Sequence, residues 1–118
     1  MKLILQTLLF LMAWKFAYAS DKYNLVYVEQ QGCFYCEIWD EEIAHIYPKT
    51  REGQFAPLIR LDLANYEKRM DYVKPVVFTP TFILIKNSSE ISRVEGYIGD
   101  DLFWGMLEVM LKRETNYK

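Results

Sequence analysis

The spacing of the two cysteines constrains the fold of this chain more than any other feature. Cys33 and Cys36 are its only cysteines, the apolar run Leu25–Val28 precedes them, and a helical pattern starts at Cys36. This order predicts a strand, a short loop with the C-x-x-C motif, and a helix whose N-terminus offers unpaired N–H groups and partial positive charge. Because that setting favours the reactive thiolate, the motif indicates thiol-disulfide exchange, in which the second cysteine resolves a mixed disulfide.

Three other uses of the motif stay open. A structural zinc site would need two more ligands, but the chain has no further cysteine and its one histidine, His45, falls on the polar face of the predicted helix. The pair could instead form a purely structural disulfide. It could also carry a soft ion such as Cu(I), although no methionine or histidine cluster lies near it in the sequence. We therefore expect a redox motif that uses neither a metal nor another cofactor.

The first 19 residues have the organisation of a secretory signal peptide. Lys2 provides a positive start, Leu3–Trp14 is mostly apolar, and Ala17–Ala19 forms an A-x-A-like cleavage site. The apolar stretch is too short to span a bilayer comfortably as a helix, although an uncleaved membrane anchor is the alternative. We therefore predict a signal peptide over residues 1–19 and one domain over residues 20–118, exported to the periplasm or another oxidising compartment.

The charge of the exported domain bears on its partners. Cleavage would remove Lys2 and Lys15, so the remaining 12 basic and 16 acidic residues would give a formal net charge of −4. This balance argues against a nucleic-acid partner, which would need a basic face. In an oxidising compartment the C-x-x-C pair must pass oxidation on or be kept reduced by an electron donor. The expected partners are therefore an exported protein thiol or disulfide and such a donor.

Strand and helix patterns alternate along the rest of the chain. The patterns predict strands at residues 24–29, 57–63, 81–85 and 90–95, an amphipathic helix from Cys36 to Pro48, and a final helix over residues 101–112 capped by Asp100 or Asp101. Apolar residues surround nearly all of the final helix, which predicts either a core groove or a partial partner surface. A crossover makes the first two strands parallel, and a hairpin adds antiparallel ones. The chain is therefore predicted to be α/β, with a mixed sheet of about four strands whose two faces helices can cover.

These elements, in this order, resemble the thioredoxin fold. The matching features are the strand–CxxC–helix unit, the Thr79–Thr81 stretch that opens a later strand, and the closing hairpin and helix. More specific stretches resemble the SoxS family of small exported thioredoxin-like proteins, which are encoded with bacterial sulfur-oxidation (Sox) systems. Those stretches, which are spread along most of the exported domain, are Val28–Cys33, Ile46–Thr50, Phe78–Phe82 and Glu95–Gly99 running into Phe103–Gly105.

The resemblance implies a periplasmic thiol-disulfide oxidoreductase that keeps the cysteine of a partner, such as a sulfur-carrier protein, reduced. It also implies that Pro80 is the cis-proline of the fold and that Thr79 faces the cysteines. A disulfide oxidant or isomerase for exported proteins is the alternative function. The chain departs from thioredoxin at Gly32, where thioredoxin has a tryptophan, and at Tyr27, where thioredoxin has a buried aspartate.

The direction of the helix assigns a role to each cysteine. Cys33, at the helix start, gains more from the helix dipole and is predicted to attack, whereas Cys36 lies one turn further in and is predicted to resolve. A groove beside the motif is expected to bind and support the partner peptide. Its expected residues are Phe34, which stands where the family often has proline, Tyr35, Thr79 and Pro80.

Glu29 is a candidate proton acceptor for the resolving thiol. It lies two residues after Tyr27, and side chains two residues apart on a strand share a face. Glu29 could therefore reach a cavity beneath Cys36 and take part in proton transfer. The alternative is a solvent-facing residue at the end of the strand.

Overall fold

The structure is a computed structural model that describes residues 21–118; the predicted signal peptide and its cleavage site after Ala19 lie outside the described residues. The four strands are β1 (Tyr23–Glu29), β2 (Leu58–Asp62), β3 (Thr81–Lys86) and β4 (Ser89–Glu95). The three α-helices are α1 (Phe34–Trp39), α2 (Arg51–Phe55) and α3 (Asp100–Glu114). A π-helical turn at Asp40–Ala44 follows α1 directly, and 3-10 turns lie at Tyr47–Lys49 and Tyr66–Lys68. None of the helices in residues 21–118 combines the length and hydropathy that a membrane span requires.

The strands form one mixed sheet in the order β2-β1-β3-β4. β1 is parallel to β2 and antiparallel to β3, and β3 is antiparallel to β4. Asn87 and Ser88 form the tight turn between β3 and β4, and both have positive φ, as a two-residue hairpin turn of this hand requires. The predicted four-stranded mixed α/β sheet is therefore confirmed.

The central strand β1 is apolar along its length because both of its faces are buried. Leu25 and Tyr27 pack on one face, against Trp39 and Ile43 from the helical run that follows the cysteines. The inner side of α3 packs on the same face through Phe103, Leu107, Met110 and Leu111. This face carries the aromatic part of the core, in which the Tyr27 ring lies 4.5 Å from Trp39 and 5.2 Å from Phe82.

The opposite face of the sheet is covered without an α-helix in the described part of the chain. Val26 and Val28 of β1 pack there against Leu61, Tyr66 and Val76. The segment that runs over them, from residue 63 to residue 76, contains only a 3-10 turn. The predicted sheet flanked by helices is confirmed, but on this face the helical part is the single turn Tyr66–Lys68, and Pro75 prevents a longer helix from running through the segment.

Three further details differ from the sequence prediction. The helix after the motif starts at Phe34, two residues before Cys36, and changes to a π-helical turn at Asp40. α3 is capped by Gly99 at φ 126°, whereas Asp100 lies inside its first turn, where a carboxylate still suits the helix dipole. On the outer side of α3, Leu102, Met106 and Val109 remain exposed, so this helix fills a core groove along one side only.

Candidate active site

The candidate active site is the disulfide between Cys33 and Cys36 at the start of α1. Cys33 is the N-cap residue of α1, and its Sγ accepts a 3.2 Å hydrogen bond from the backbone N–H of Cys36. Gly32 turns the chain from β1 into the helix at φ 79°, a conformation that glycine adopts without a steric penalty. This geometry aims an orphan N–H of the helix N-terminus at the sulfur of Cys33, where it would stabilise negative charge.

The two sulfurs differ in their access to solvent. Cys33 is 8% exposed and Cys36 is 3% exposed, so Cys33 is the one nearer the surface. Both cysteines contact the aromatic core beneath the motif, which includes Trp39 and Tyr27, and Cys36 is the more deeply buried of the two. A partner sulfur would therefore meet Cys33 first.

Tyr27 occupies the position of thioredoxin's buried aspartate and acts as a donor there. Its hydroxyl donates a 3.1 Å hydrogen bond to the carbonyl oxygen of Cys36 and is fully buried. Burial, with the nearby Asp40 and Glu29 carboxylates, raises the pKa of the Tyr27 hydroxyl well above its ordinary value of 10.0. Tyr27 therefore stays protonated at neutral pH and cannot serve as the proton acceptor of the site.

Glu29 lies beside the disulfide, on the same face of β1 as Tyr27. It lines a cavity of about 430 Å³ together with both cysteines, Asp40 and Arg60. Its Oε2 is 2.8 Å from Nη1 of Arg60, and the Oδ1 of Asp40 is 2.8 Å from Nη2 of the same guanidinium. Glu29 is thus neither a free solvent-facing carboxylate nor fully buried, but one of two carboxylates that share one cation at the site.

Arg60 is a site residue that sequence reasoning did not single out. Side chains alternate along β2, so that Leu61 packs on one face of the sheet and Arg60 lies on the other. What the alternation did not reveal is the parallel register, which places Arg60 opposite Tyr27 of β1. The guanidinium lies 5.1 Å from the centre of the Tyr27 ring, close enough for a cation–π contact.

Thr79 and Pro80 lie next to the loop that carries the motif. The Gln30 side-chain amide donates a 2.8 Å hydrogen bond to the Thr79 hydroxyl, and the Gln30 carbonyl oxygen accepts from the N–H of Cys33. The Thr79–Pro80 peptide bond is cis, and the Pro80 carbonyl oxygen accepts a 2.8 Å hydrogen bond from Gly96. Gln30 was also not predicted as a site residue, because a lone glutamine before the motif carries no specific signal.

Exposed apolar side chains lie on the three segments that these hydrogen bonds join. We call this set the apolar rim: Phe34, Tyr35, Val77, Phe78 and Ile98. Each of them exposes more than half of its surface, with 65% for Phe34 and 60% for Phe78. Large apolar side chains grouped around a reactive group are typical of an interaction surface. The rim includes Phe34 and Tyr35, which the sequence predicted, and adds three residues from other parts of the chain.

Comparisons with known proteins agree with this geometry. A family model for a thioredoxin-like domain matches residues 12–111. The periplasmic thioredoxin SoxS from Paracoccus pantotrophus, in its reduced form, is 43% identical over 77% of this chain and 97% of its own, with a TM-score of 0.74.

Two more distant solved structures share the fold. Thioredoxin-2 of the malaria parasite is 19% identical over 78% of this chain and 86% of its own, with a TM-score of 0.56. The thioredoxin Mala s 13 of Malassezia sympodialis is 18% identical over 74% of this chain and 76% of its own, also with a TM-score of 0.56. No match to the chain was found among the curated proteins.

Proposed function

Since this chain belongs to the thioredoxin-like family and is a thiol-disulfide oxidoreductase, we propose that it reduces a cysteine of an exported partner protein through Cys33 and Cys36. The resemblance predicted from the sequence is confirmed, and the fold implies a thiol partner. The observation that carries the proposal is the N–H of Cys36 directed at Sγ of Cys33. A sulfur-carrier protein is the proposed partner, because the chain is 43% identical to the SoxS protein over 97% of that protein's length.

The proposed reaction transfers two electrons from the dithiol to the partner. The Cys33 thiolate attacks one sulfur of the partner's disulfide and expels the other sulfur as a thiolate, which takes a proton. This forms a mixed disulfide between Cys33 and the partner. Cys36 then gives up its proton and attacks Sγ of Cys33, so that the partner's second sulfur leaves reduced and the Cys33–Cys36 disulfide remains. An exported electron donor, not yet identified, returns two electrons and two protons to the pair.

Glu29 is the proposed acceptor of the Cys36 proton. It lines the same cavity as both sulfurs, and its partner Arg60 is shared with Asp40, so the cation does not neutralise both carboxylates. Tyr27 cannot take this role because its hydroxyl is a donor to the Cys36 carbonyl oxygen. Glu29 can act directly or through one water molecule that enters the open cavity.

The apolar rim is the proposed docking surface for the partner. The backbone before Pro80 is held extended, which suits strand-like pairing of Thr79 with a partner segment. Phe34 and Tyr35 would cover one side of that segment, and Val77 and Phe78 the other. The apolar surface buried in this way would favour a peptide over a small soluble disulfide.

Export is part of the proposal. We propose that residues 1–19 form a cleaved signal peptide and that residues 20–118 function as one domain in the periplasm. Support comes from the A-x-A-like sequence before Ser20 and from the periplasmic location of the SoxS protein, which is similar along nearly its whole length. Mass spectrometry of the protein recovered from the exported fraction would test it. An N-terminus at Met1 in that fraction would contradict cleavage.

A trapping experiment tests the proposed reaction and the roles of the two cysteines. In Cys36→Ser the mixed disulfide cannot resolve, so a covalent complex with an exported partner should accumulate through Cys33. Cys33→Ser, the matched control, should trap far less partner because the remaining thiol is almost fully buried. Equal trapping by both variants would show that Cys33 is not the attacking residue.

A measured reduction potential separates the reductase from the alternative oxidant. A reduction potential of about −270 mV, which is that of thioredoxin, would support a reductase. A value near about −120 mV, typical of a strong disulfide oxidant, would overturn the proposed direction of electron flow.

A further inference from the structure

Glu90 and Arg93 form a nearly buried ion pair on the edge strand β4. The guanidinium donates from Nε to Glu90 Oε2 at 2.7 Å and from Nη2 to Glu90 Oε1 at 2.6 Å. The Arg93 side chain is only 8% exposed and the Glu90 side chain only 4%. A buried pair of this kind adds little net stability over apolar residues of the same volume, because both charges must lose their water. Its presence on an edge strand therefore calls for another explanation.

The remaining hydrogen-bonding capacity of the pair goes to one irregular segment, residues 73–75. Glu90 Oε1 accepts a 2.9 Å hydrogen bond from the N–H of Val73. Arg93 donates to the carbonyl oxygens of Lys74, at 2.8 Å, and Pro75, at 3.3 Å. These three backbone groups lie outside any helix or strand. An apolar pair in place of Glu90 and Arg93 would leave the three groups without these partners.

Residues 73–75 lead directly into the part of the apolar rim that precedes Pro80. Val76 is buried, and its N–H donates a 2.6 Å hydrogen bond to the Tyr66 hydroxyl. Val77 and Phe78 then project into solvent, and Thr79 is held by Gln30 at the motif. The exposed pair Val77 and Phe78 thus lies between fixed points on both sides. Thr79 is bound by the loop before the motif, and on the other side Val76 is bound by Tyr66 and residues 73–75 by β4.

We propose that Glu90 and Arg93 are positioning residues for partner binding, which set the place of Val77 and Phe78 relative to Cys33. This inference rests on the proposed function, because it concerns the surface that receives the partner. Two charged side chains with a planar, bidentate geometry fix the segment in direction as well as in distance. The two residues themselves are almost fully buried and stand behind the segment, so they act through it and do not touch the partner.

The test compares a peptide disulfide with a small disulfide that has the same leaving group. One probe is bis(2-hydroxyethyl) disulfide, and the other is a synthetic peptide whose single central cysteine is joined to 2-mercaptoethanol. Glu90→Gln and Arg93→Lys should raise the KM for the peptide about tenfold with little change in kcat. Their reaction with the small disulfide should stay at the wild-type rate, because it needs only the two cysteines.

Arg93→Lys separates geometry from charge. Lysine keeps the positive charge but lacks the planar fork that reaches Glu90, Lys74 and Pro75 together. Glu108→Gln serves as the control variant, because it breaks an exposed ion pair with Lys112 on α3, away from the segment. This control should match the wild-type protein with both probes.

Amide hydrogen exchange gives a second readout that does not depend on activity. In Glu90→Gln the neutral amide oxygen is a weaker acceptor than the carboxylate, so the amide of Val73 should lose part of its protection, whereas the amides of β1 and β3 keep theirs. Lost protection together with a wild-type KM for the peptide would overturn the proposal, and so would a wild-type KM in Arg93→Lys. An equal loss of rate with both probes would also overturn it, since the defect would then lie at the disulfide. A wild-type protein that reduces neither probe would contradict the proposed function itself and remove the ground for this inference.

Discussion

The hydroxyl of Tyr27 donates a hydrogen bond to the backbone carbonyl oxygen of Cys36, at 3.1 Å. The same carbonyl oxygen accepts from the backbone N–H of Asp40 within the helical run. Tyr27 thereby ties the central strand to the resolving cysteine. The position that carries a proton acceptor in thioredoxin thus carries a structural donor here. The acidic groups that line the site are Glu29, Glu37, Asp40 and Asp62, of which Glu29 and Asp40 pair with Arg60.

Tyr27→Phe should lower the free energy of unfolding by about 1 kcal/mol and also slow release of the mixed disulfide by about threefold or more. The reason is that the carbonyl oxygen of Cys36 loses one of its two hydrogen-bond donors. Tyr47→Phe is the matched control, because it removes a buried tyrosine–carbonyl hydrogen bond to Ala56 away from the cysteines. It should cost similar stability without changing the release rate. Stopped-flow kinetics with chemical denaturation checks both, and equal release rates in the two variants would refute the link to Cys36.

Glu29→Gln should slow release of the mixed disulfide and change its pH profile, while the initial attack by Cys33 changes less. Asp40→Asn is the comparison variant, because it removes the other ion pair of Arg60, whose N···O distance is also 2.8 Å. If Glu29 accepts the proton, Glu29→Gln removes its step from the profile, whereas Asp40→Asn keeps that step and only shifts it, because Arg60 then pairs with Glu29 alone. Release rates measured from about pH 5 to 9 decide the matter. Identical profiles in Glu29→Gln and the wild-type protein would leave Glu29 without a role in proton transfer.

Phe78→Ala should weaken binding of a peptide disulfide several-fold and leave stability nearly unchanged. The Phe78 ring is 60% exposed, so its removal leaves little cavity in the core but deletes apolar contact area for the partner. Val109→Ala on the outer side of α3 is the control, since that side chain is also 60% exposed. Each alanine substitution is made in a protein whose Cys33 and Cys36 are both replaced by serine, so that the peptide disulfide binds without reacting. Calorimetric binding of the peptide and thermal unfolding give the two readouts. A drop in affinity for both alanine variants would argue against the apolar rim as the docking surface.

The ionised Glu90 carboxylate should stabilise the fold at neutral pH and lose this effect in acid. The wild-type protein should therefore lose more stability in acid than Glu90→Gln does. Burial by itself would raise the pKa of the Glu90 carboxyl, but hydrogen bonds from Arg93 and the Val73 N–H outweigh it, and the pKa lies below its ordinary value of 4.5. A group with a depressed pKa stabilises the fold above its unfolded pKa and loses that contribution as the pH falls through its folded pKa.

Denaturant unfolding at a series of pH values checks this sign. The difference in the free energy of unfolding between the wild-type protein and Glu90→Gln should be constant above about pH 5 and shrink below it. If the unfolding free energies of the two proteins instead stay parallel throughout the acid range, protonation of Glu90 does not contribute to the loss of stability.

Local sequence signals predicted the elements that carry the site. The run Leu25–Val28 is apolar at every position, and both of its faces are indeed buried in the sheet. The spacing of Cys33 and Cys36 after that run predicted a motif at a helix start, and Cys33 is the N-cap of α1. The polar residues Asn87, Ser88 and Ser89 between two strand patterns indicate a turn, and the predicted hairpin is present there. These signals succeed because each depends on residues within about one turn or one strand of each other.

The arrangement around the sulfur atoms needed the tertiary structure. Arg60 meets Glu29 and Asp40 across separations of 31 and 20 residues, and Arg93 reaches the carbonyl of Lys74 across 19. No periodic pattern predicts such pairs, because loops of these lengths can close in many ways at nearly equal entropic cost.

The sequence by itself determined that this chain forms a mixed sheet with a C-x-x-C motif at the start of a helix, since apolar periodicity and turn residues act locally. Only the tertiary structure decided which side chains surround the motif. The parallel register of β1 and β2 places Tyr27 opposite Arg60, and a shift by one residue would turn Arg60 to the far face of the sheet. The two carboxylates of the site would then lose the cation that they share, although every local signal in the sequence would be unchanged.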